Sequence, residues 1–367
     1  MSLIREKELD RMDRSLLLFE NSIGTKSTLK QYTLNLKLFF DFVGYQNRYD
    51  EFLKLSANEI QMHLEDFVMY KKKTGVRSSS IQGYLNPVIL FLDANKVLFH
   101  RKSLRMLIPK DKKKIGNEKP YLTEDIQKML SSTIKLRNKA IIHFFSSTGA
   151  RPAVVTDPIL RFVNVHTMPF GCKAVLLYSE SNEEYWAFLT PEASIVLDDY
   201  RDERIREGEI ITPNSPVFIV QECSRYDKEN YLSLPALNQI FDNLKKHDNI
   251  ERIKIGNRYD KGQFLGFRKR FNTILKLEET FNANIAEKLM AHKRGLDGRY
   301  LKPTREECFK EFVKAIPSLT VSESERLKIK IENLETDKDQ KITKLEAEMK
   351  AIYRLLERVN TNSPMIS

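Results

Sequence analysis

Before residue 120 this sequence permits helices and little else. Leu29, Tyr32, Leu36, Phe39 and Val43 recur at three- and four-residue steps, which draws one apolar stripe along a helix. Lys30 and Lys37 fall off that stripe and face outward. Gly24-Thr25-Lys26-Ser27 supplies the start signal. Ile60, Leu64, Phe67 and Val68 repeat the pattern over Ala57 to Lys71. A third helix spans about Ser78 to Asp93, with Pro87 near its start or kinking it. No stretch shows the period-two alternation of a half-buried strand. Residues 1–108 are therefore expected to form a compact helical domain.

The composition then shifts. Arg101, Lys102, Arg105, Lys110, Lys112, Lys113, Lys114 and Lys119 are offset only by Asp111 and Glu118, with Pro109, Gly116 and Pro120 as breakers. Residues 109–120 read as a basic linker. The whole chain carries a formal charge of +11 and a pI near 9.3, which calls for an anionic partner, most commonly nucleic acid. In that setting the linker is expected to lie as a strap along a phosphate backbone.

Other classes are excluded. No run of about 18 apolar residues spans a membrane, and the Leu16–Phe19 patch is too short and too charged at its flanks for a signal peptide. Cys172, Cys223 and Cys308 are scattered and odd in number, against a disulfide framework or a zinc ribbon, so a reducing cytoplasm is the expected setting. The six histidines show no ligand spacing, so no metal or other cofactor is expected.

Residues 121–317 read as a mainly helical α+β domain. Thr123 caps a helix running to about Leu136. An apolar, buried helix from Asn138 to Ser146 ends at Gly149. Residues 174–178 and 185–189 form a hairpin about the turn 179–184. Helices follow from Pro191 through Tyr200 and around 233–246, 268–279 and 282–291. From 318 to 360 Leu327, Ile331 and Leu334, then Ile342, Leu345, Met349, Ile352, Leu356 and Val359, mark a coiled coil or long helix. The eleven-residue step from Leu334 to Leu345 is a stutter-like break. At about 1.5 Å per residue the arm reaches roughly 50 Å, and residues 361–367 read as a frayed tail.

Four stretches carry chemistry. Arg151 follows a buried helix and a glycine turn, where a guanidinium is held rigidly and clamps phosphate bidentately. Arg268, Lys269 and Arg270 precede an apolar helix, where free backbone N–H groups favour an anion. His292 and, eight residues on, Tyr300 lie among Lys293, Arg294, Arg299 and Lys302, with Gly295 and Gly298 breaking any long helix. Taken singly, an arginine is more often a solvated surface group, a histidine structural and a tyrosine core. Their order and spacing together raise a stronger reading.

That ordered set resembles the tyrosine recombinase, or phage integrase, family. The family's first motif looks like Thr148-Gly149-Ala150-Arg151, its second like Leu265-Gly266-Phe267-Arg268, and its third like Leu289-Met290-Ala291-His292 with the nucleophile at Tyr300. The lead-in from Thr25 to Tyr32 is similar to that of the family's DNA-clamping core-binding domain. The likeness covers roughly residues 20 to 315 and looks nearest to integrases of archaeal viruses and proviruses. It implies that Tyr300 attacks a phosphodiester of double-stranded DNA and forms a 3′-phosphotyrosyl link, with no metal or ATP. Arg151, Arg268 and His292 would act on the phosphate. Lys30, Lys37, Arg101, Lys102, Lys112, Lys113, Lys114, Lys269, Arg270, Lys293 and Arg294 would contact DNA. A tetramer on two duplexes at the nucleoid is implied, and residues 327–359 offer a coiled-coil partner surface.

Two positions depart from the family. Leu265 stands where a histidine is usual, and the turn Ser179–Glu184, where the family carries a general-acid lysine, holds three carboxylates and no lysine. Lys173 is the nearest substitute in sequence. A catalytically weakened DNA-binding accessory protein and a type IB topoisomerase-like relaxing enzyme are the rival readings.

Overall fold

The computed structural model describes residues 14–108, 119–220, 230–247, 250–255, 258–292 and 300–328, with scattered positions between 331 and 352. The chain divides into two compact units, Met1–Lys114 and Ile115–Ser367.

The first unit holds helices α1 (Arg14–Asn21), α2 (Lys26–Val43), α3 (Tyr49–Leu53), α4 (Ala57–Lys73), α5 (Ser78–Ala94) and α6 (Arg101–Leu107). Thr25 caps α2 by accepting the amide of Thr28, and Gly44 ends it at φ 78°. Ser56 and Glu59 form a capping box on α4. Pro87 lies inside α5 and is buried. The predicted stripe closes the core: Phe39 meets Phe40, Phe52 and Phe67 edge-on at 5.3–5.7 Å between ring centres. Such pairs add about 0.5–1.5 kcal/mol each beyond the area they bury.

The second unit contains α7 (Thr123–Ser131), α8 (Leu136–Thr148), β1 (Val165–Thr167), β2 (Lys173–Leu177), β3 (Tyr185–Leu189), α9 (Pro191–Arg206), α10 (Leu234–Leu244), β4 (Lys254–Ile255), β5 (Arg258–Tyr259), α11 (Gln263–Leu277), α12 (Ala283–Leu289) and α13 (Arg305–Leu319). The sheet runs β1-β2-β3, antiparallel throughout, with Lys173 opposite Leu189 and Leu177 opposite Tyr185. Both faces are covered. Val175, Leu177, Ala187 and Leu189 join one apolar cluster with α8 and α9. Ala174 and Phe188 join the other, with α12 and α13. Helix α11 spans both through Phe267 on one side and Phe271 and Leu275 on the other.

Several boundaries differ from the sequence reading. Thr123 is the first residue of α7 rather than its cap, because the Asp125 carboxylate accepts the Leu122 amide at 2.8 Å. That helix stops at Ser131, and α8 begins at Leu136. Helix α11 starts at Gln263, so Arg268 lies in its second turn and the anion-binding argument from free amides does not apply there. Strands β1, β4 and β5 are too short to show a period, and helix α13 was missed although Cys308, Phe309, Phe312, Ala315, Ile316 and Leu319 recur at helical steps. A capping box between Thr304 and Glu307 marks its start.

Beyond α13, residues 323–328 are helical, as are the scattered described positions out to Ile352. Leu327, Ile331, Ile342, Leu345, Met349 and Ile352 are 42–60% exposed. No helix among the described residues is long and apolar enough to cross a membrane.

Candidate active site

Gly149 builds the first part of the site. It ends α8 at φ 56°, and a Cβ there would sit 2.6 Å from the Cβ of Phe271. Only glycine combines that backbone conformation with that approach. The contact seats the turn carrying Arg151 directly on α11, one turn from Arg268.

Arg268 is then fixed from three directions. Its Nη1 donates to the Gly149 carbonyl at 3.0 Å, and its Nη2 donates to the Met290 carbonyl and meets His292 Nε2 at 3.0 Å. His292 Nδ1 lies 2.7 Å from a Glu287 carboxylate oxygen. That carboxylate accepts the Nδ1 proton, which leaves Nε2 as the acceptor of the neutral ring. Glu287 also takes a hydrogen bond from Lys276. The Lys276 bond first, and then the His292 bond, hold its carboxyl below the usual range.

Arg151 is the more open guanidinium. Its Nη1 lies 3.5 Å from the carboxylate of Glu183, in the turn between β2 and β3. Its charge also acts on the nearby phenol of Tyr178. Burial pushes the Tyr178 hydroxyl above its usual range, against the opposing pull of Arg151. Tyr185 is pushed up more strongly, again by burial, with Arg268 the largest opposing charge. Arg268 itself is lowered by burial first and by the like charge of Arg151 second. Two guanidiniums thus share one small region with two phenols and a single carboxylate from the turn.

The structure brings Arg151, Arg268 and His292 together from three distant segments. Tyr300 is 79% exposed, and no described residue hydrogen-bonds its hydroxyl. Leu265, one turn before Arg268, is an exposed apolar residue. Lys112, Lys113, Lys114, Lys293 and Arg294 lie outside the described residues, as does most of the 109–120 linker. Lys30, Lys37 and Lys102 are exposed, and Lys269 is half-buried. Arg101 is exposed too, though it pairs with Asp93 and stacks over Phe99.

Two expectations are corrected. Lys173 is not directed at the arginines. It shares a strand face with Val175 and Leu177, and its Nζ is 2.9 Å from Asp198 on α9. Arg270 is 4% exposed, and one of its nitrogens donates to the Ser318 and Leu319 carbonyls and the Thr123 hydroxyl. It closes the end of α13 and has no face to offer DNA. Beside it the buried Glu192 accepts the amides of Val321 and Ser322 at 2.6 and 2.9 Å. Tyr178 and Glu183 were missed as site residues; the signal was their place beside a hairpin turn facing the first arginine motif.

Among the described residues no group of three or more His, Cys, Asp or Glu side chains could hold a metal ion. No protein-family model matches the chain, and no curated protein does. Solved structures do match. One is the XerH site-specific recombinase bound to its difH substrate, at TM-score 0.52 and 16% identity over 78% of this chain and 81% of that one. Another is a lambda integrase (75–356) dimer bound to a COC′ core site, at TM-score 0.51 and 14% identity over 82% and 95%. The mainly helical architecture with its small antiparallel sheet is the tyrosine-recombinase fold.

Proposed function

We propose that this chain is a tyrosine-type site-specific recombinase or integrase that cleaves and rejoins double-stranded DNA, with Tyr300 as nucleophile. The observation that carries the reading is the convergence of Arg151 and Arg268, with His292 at 3.0 Å from the latter. Two half-buried like charges raise each other's energy unless an anion joins them. A phosphodiester supplies that anion, and a planar guanidinium binds its oxygens in pairs.

In this reading Tyr300 attacks phosphorus and makes a 3′-phosphotyrosyl link. Its proton passes to Nε2 of His292, the nitrogen that Glu287 leaves unprotonated and that accepts from Arg268 until that guanidinium turns to the phosphate. Arg151 and Arg268 stabilise the five-coordinate phosphate, and loss of one such charged donor should cost about 3–4 kcal/mol, by analogy with oxyanion-hole donors. Attack by another strand's 5′-hydroxyl reverses the step, and the phosphodiester energy is conserved. Assembly as a tetramer on two duplexes belongs to the same proposal. The exposed apolar positions from Leu327 to Ile352 support a coiled-coil partner for the arm. Gel filtration of the full chain against one ending at Arg326 tests whether that partner is a second copy.

The deciding experiment is trapping on a nicked suicide duplex. The native chain should form a covalent adduct, and Tyr300→Phe should bind the duplex and form none. An adduct with the variant would remove Tyr300 as nucleophile. A catalytically weakened accessory protein is the second reading, favoured by Leu265 and by the Glu183 carboxylate on Arg151. It requires that the native chain bind DNA without any adduct. Relaxation of plasmid with no site preference would instead indicate topoisomerase-like action.

A further inference from the structure

The turn that lacks a lysine contains another proton donor. Tyr178 is the first residue after β2, and its φ of 53° takes it out of the alternation of the strand. Its ring packs on Tyr185, the first residue of β3, with ring centres 6.3 Å apart. The Arg151 guanidinium and, more weakly, that of Arg268 act electrostatically on its hydroxyl. Glu183, from the turn that Tyr178 opens, lies 3.5 Å from the Arg151 guanidinium. A phosphate bound to Arg151 is thereby placed next to a half-buried phenol.

We propose that Tyr178 is the general acid of strand cleavage, donating its phenolic proton to the departing 5′ oxygen. The inference rests on the recombinase reading above. As the Tyr300 oxygen bonds to phosphorus, the bond from phosphorus to the 5′ oxygen breaks and its electron pair stays on that oxygen. Tyr178 supplies the proton, so the products are the phosphotyrosyl ester, a 5′-hydroxyl, a Tyr178 phenolate and a protonated His292. Rejoining runs the same transfers backwards.

The chemistry suits the surroundings. A phenol and an alkylammonium have nearly equal ordinary pKa values, about 10 and about 10.4, and an alkoxide takes a proton readily from either. They differ in charge. An ammonium here would be a third cation beside Arg151 and Arg268, whereas a phenol is neutral before transfer. The phenolate it becomes is stabilised by both guanidiniums. Burial keeps the proton on Tyr178 until the leaving group needs it. Tyr185 is the more deeply buried of the two phenols, with Arg268 rather than Arg151 as its leading charge. Tyr178 holds the position nearer the open arginine.

The test uses two suicide duplexes identical except for the bridging 5′ atom, oxygen in one and sulfur in the other. A thiolate leaves without being protonated, so only the oxygen substrate needs an acid. Tyr178→Phe keeps the ring and its packing on Tyr185. It is expected to form adduct about 100-fold or more slowly than the native chain on the oxygen substrate, and within a few-fold of it on the sulfur substrate. Native-like rates on both substrates, or equal slowing on both, would overturn the assignment. So would sulfur-specific rescue of Tyr185→Phe instead. If the native chain forms no adduct on either substrate, the strand-cleavage reading fails first and takes this one with it.

Discussion

Arg151 and Glu183 form an ion pair at 3.5 Å across the mouth of the arginine cluster, with side chains 41% and 62% exposed. The carboxylate stands where an anionic ligand of Arg151 would bind, so the two compete. An exposed pair of this kind contributes about 0.2–1 kcal/mol. Glu183→Gln should therefore bind duplex DNA roughly two- to fivefold more tightly, as measured by fluorescence anisotropy at fixed salt. Unchanged or weaker binding would show that DNA does not reach Arg151.

Gly149 offers a test of how the site is built. Alanine at φ 56° is strained, and its Cβ would press to 2.6 Å from Phe271. Conformational strain and overpacking together should cost at least about 2 kcal/mol. Urea unfolding of Gly149→Ala measures this directly, and a loss below about 0.5 kcal/mol would contradict the packing described.

The same logic separates Arg270 from the arginines that face solvent. Removing this buried donor leaves the Ser318 and Leu319 carbonyls unpaired, at a cost of about 1–3 kcal/mol. Arg270→Ala should lower stability while the slope of log affinity against log salt stays unchanged. Loss of a phosphate contact would instead reduce that slope by about 0.9.

Acid stability should report on His143. Burial pushes this imidazole down to about 4 from its ordinary 6.5, so its contact with Glu192 at 3.8 Å is not an ion pair near neutrality. The folded pKa lies below the unfolded one, so the unfolded chain binds the proton first. Stability is complete above about pH 6.5 and falls as the pH drops towards 4, by a total of about 3 kcal/mol at 1.36 kcal/mol per pKa unit. Glu192 works the other way, because burial raises its pKa. Comparing urea midpoints of the native chain and His143→Gln from pH 7 to pH 4 isolates the histidine; parallel curves would refute the assignment.

What could be read in the sequence was periodic or local. The stripe from Leu29 to Val43, the start signal within Gly24–Ser27 and the Gly149 terminator are each local to one helix, and each stands as expected. The clustering of Arg151, Arg268 and His292 was legible as an ordered set, but the bonds that fix it join residues up to 119 positions apart. The two misplaced cations were readable by parity. Lys173 alternates with Val175 and Leu177 towards α9, and Arg270 falls between Phe267 and Phe271 on the inward side of α11. Tyr178 carries no such signal, since its positive φ removes it from the strand's register.

The short stretch from Ser318 to Ser322 leaves α13 with its carbonyls held by a buried cation and its amides by a buried anion. The chain that leaves α13 is thus anchored at both its carbonyls and its amides as far as Ser322. Arg270 lies two residues from Arg268 on the same helix, so one turn of α11 carries both the guanidinium that seals the end of α13 and the guanidinium beside His292.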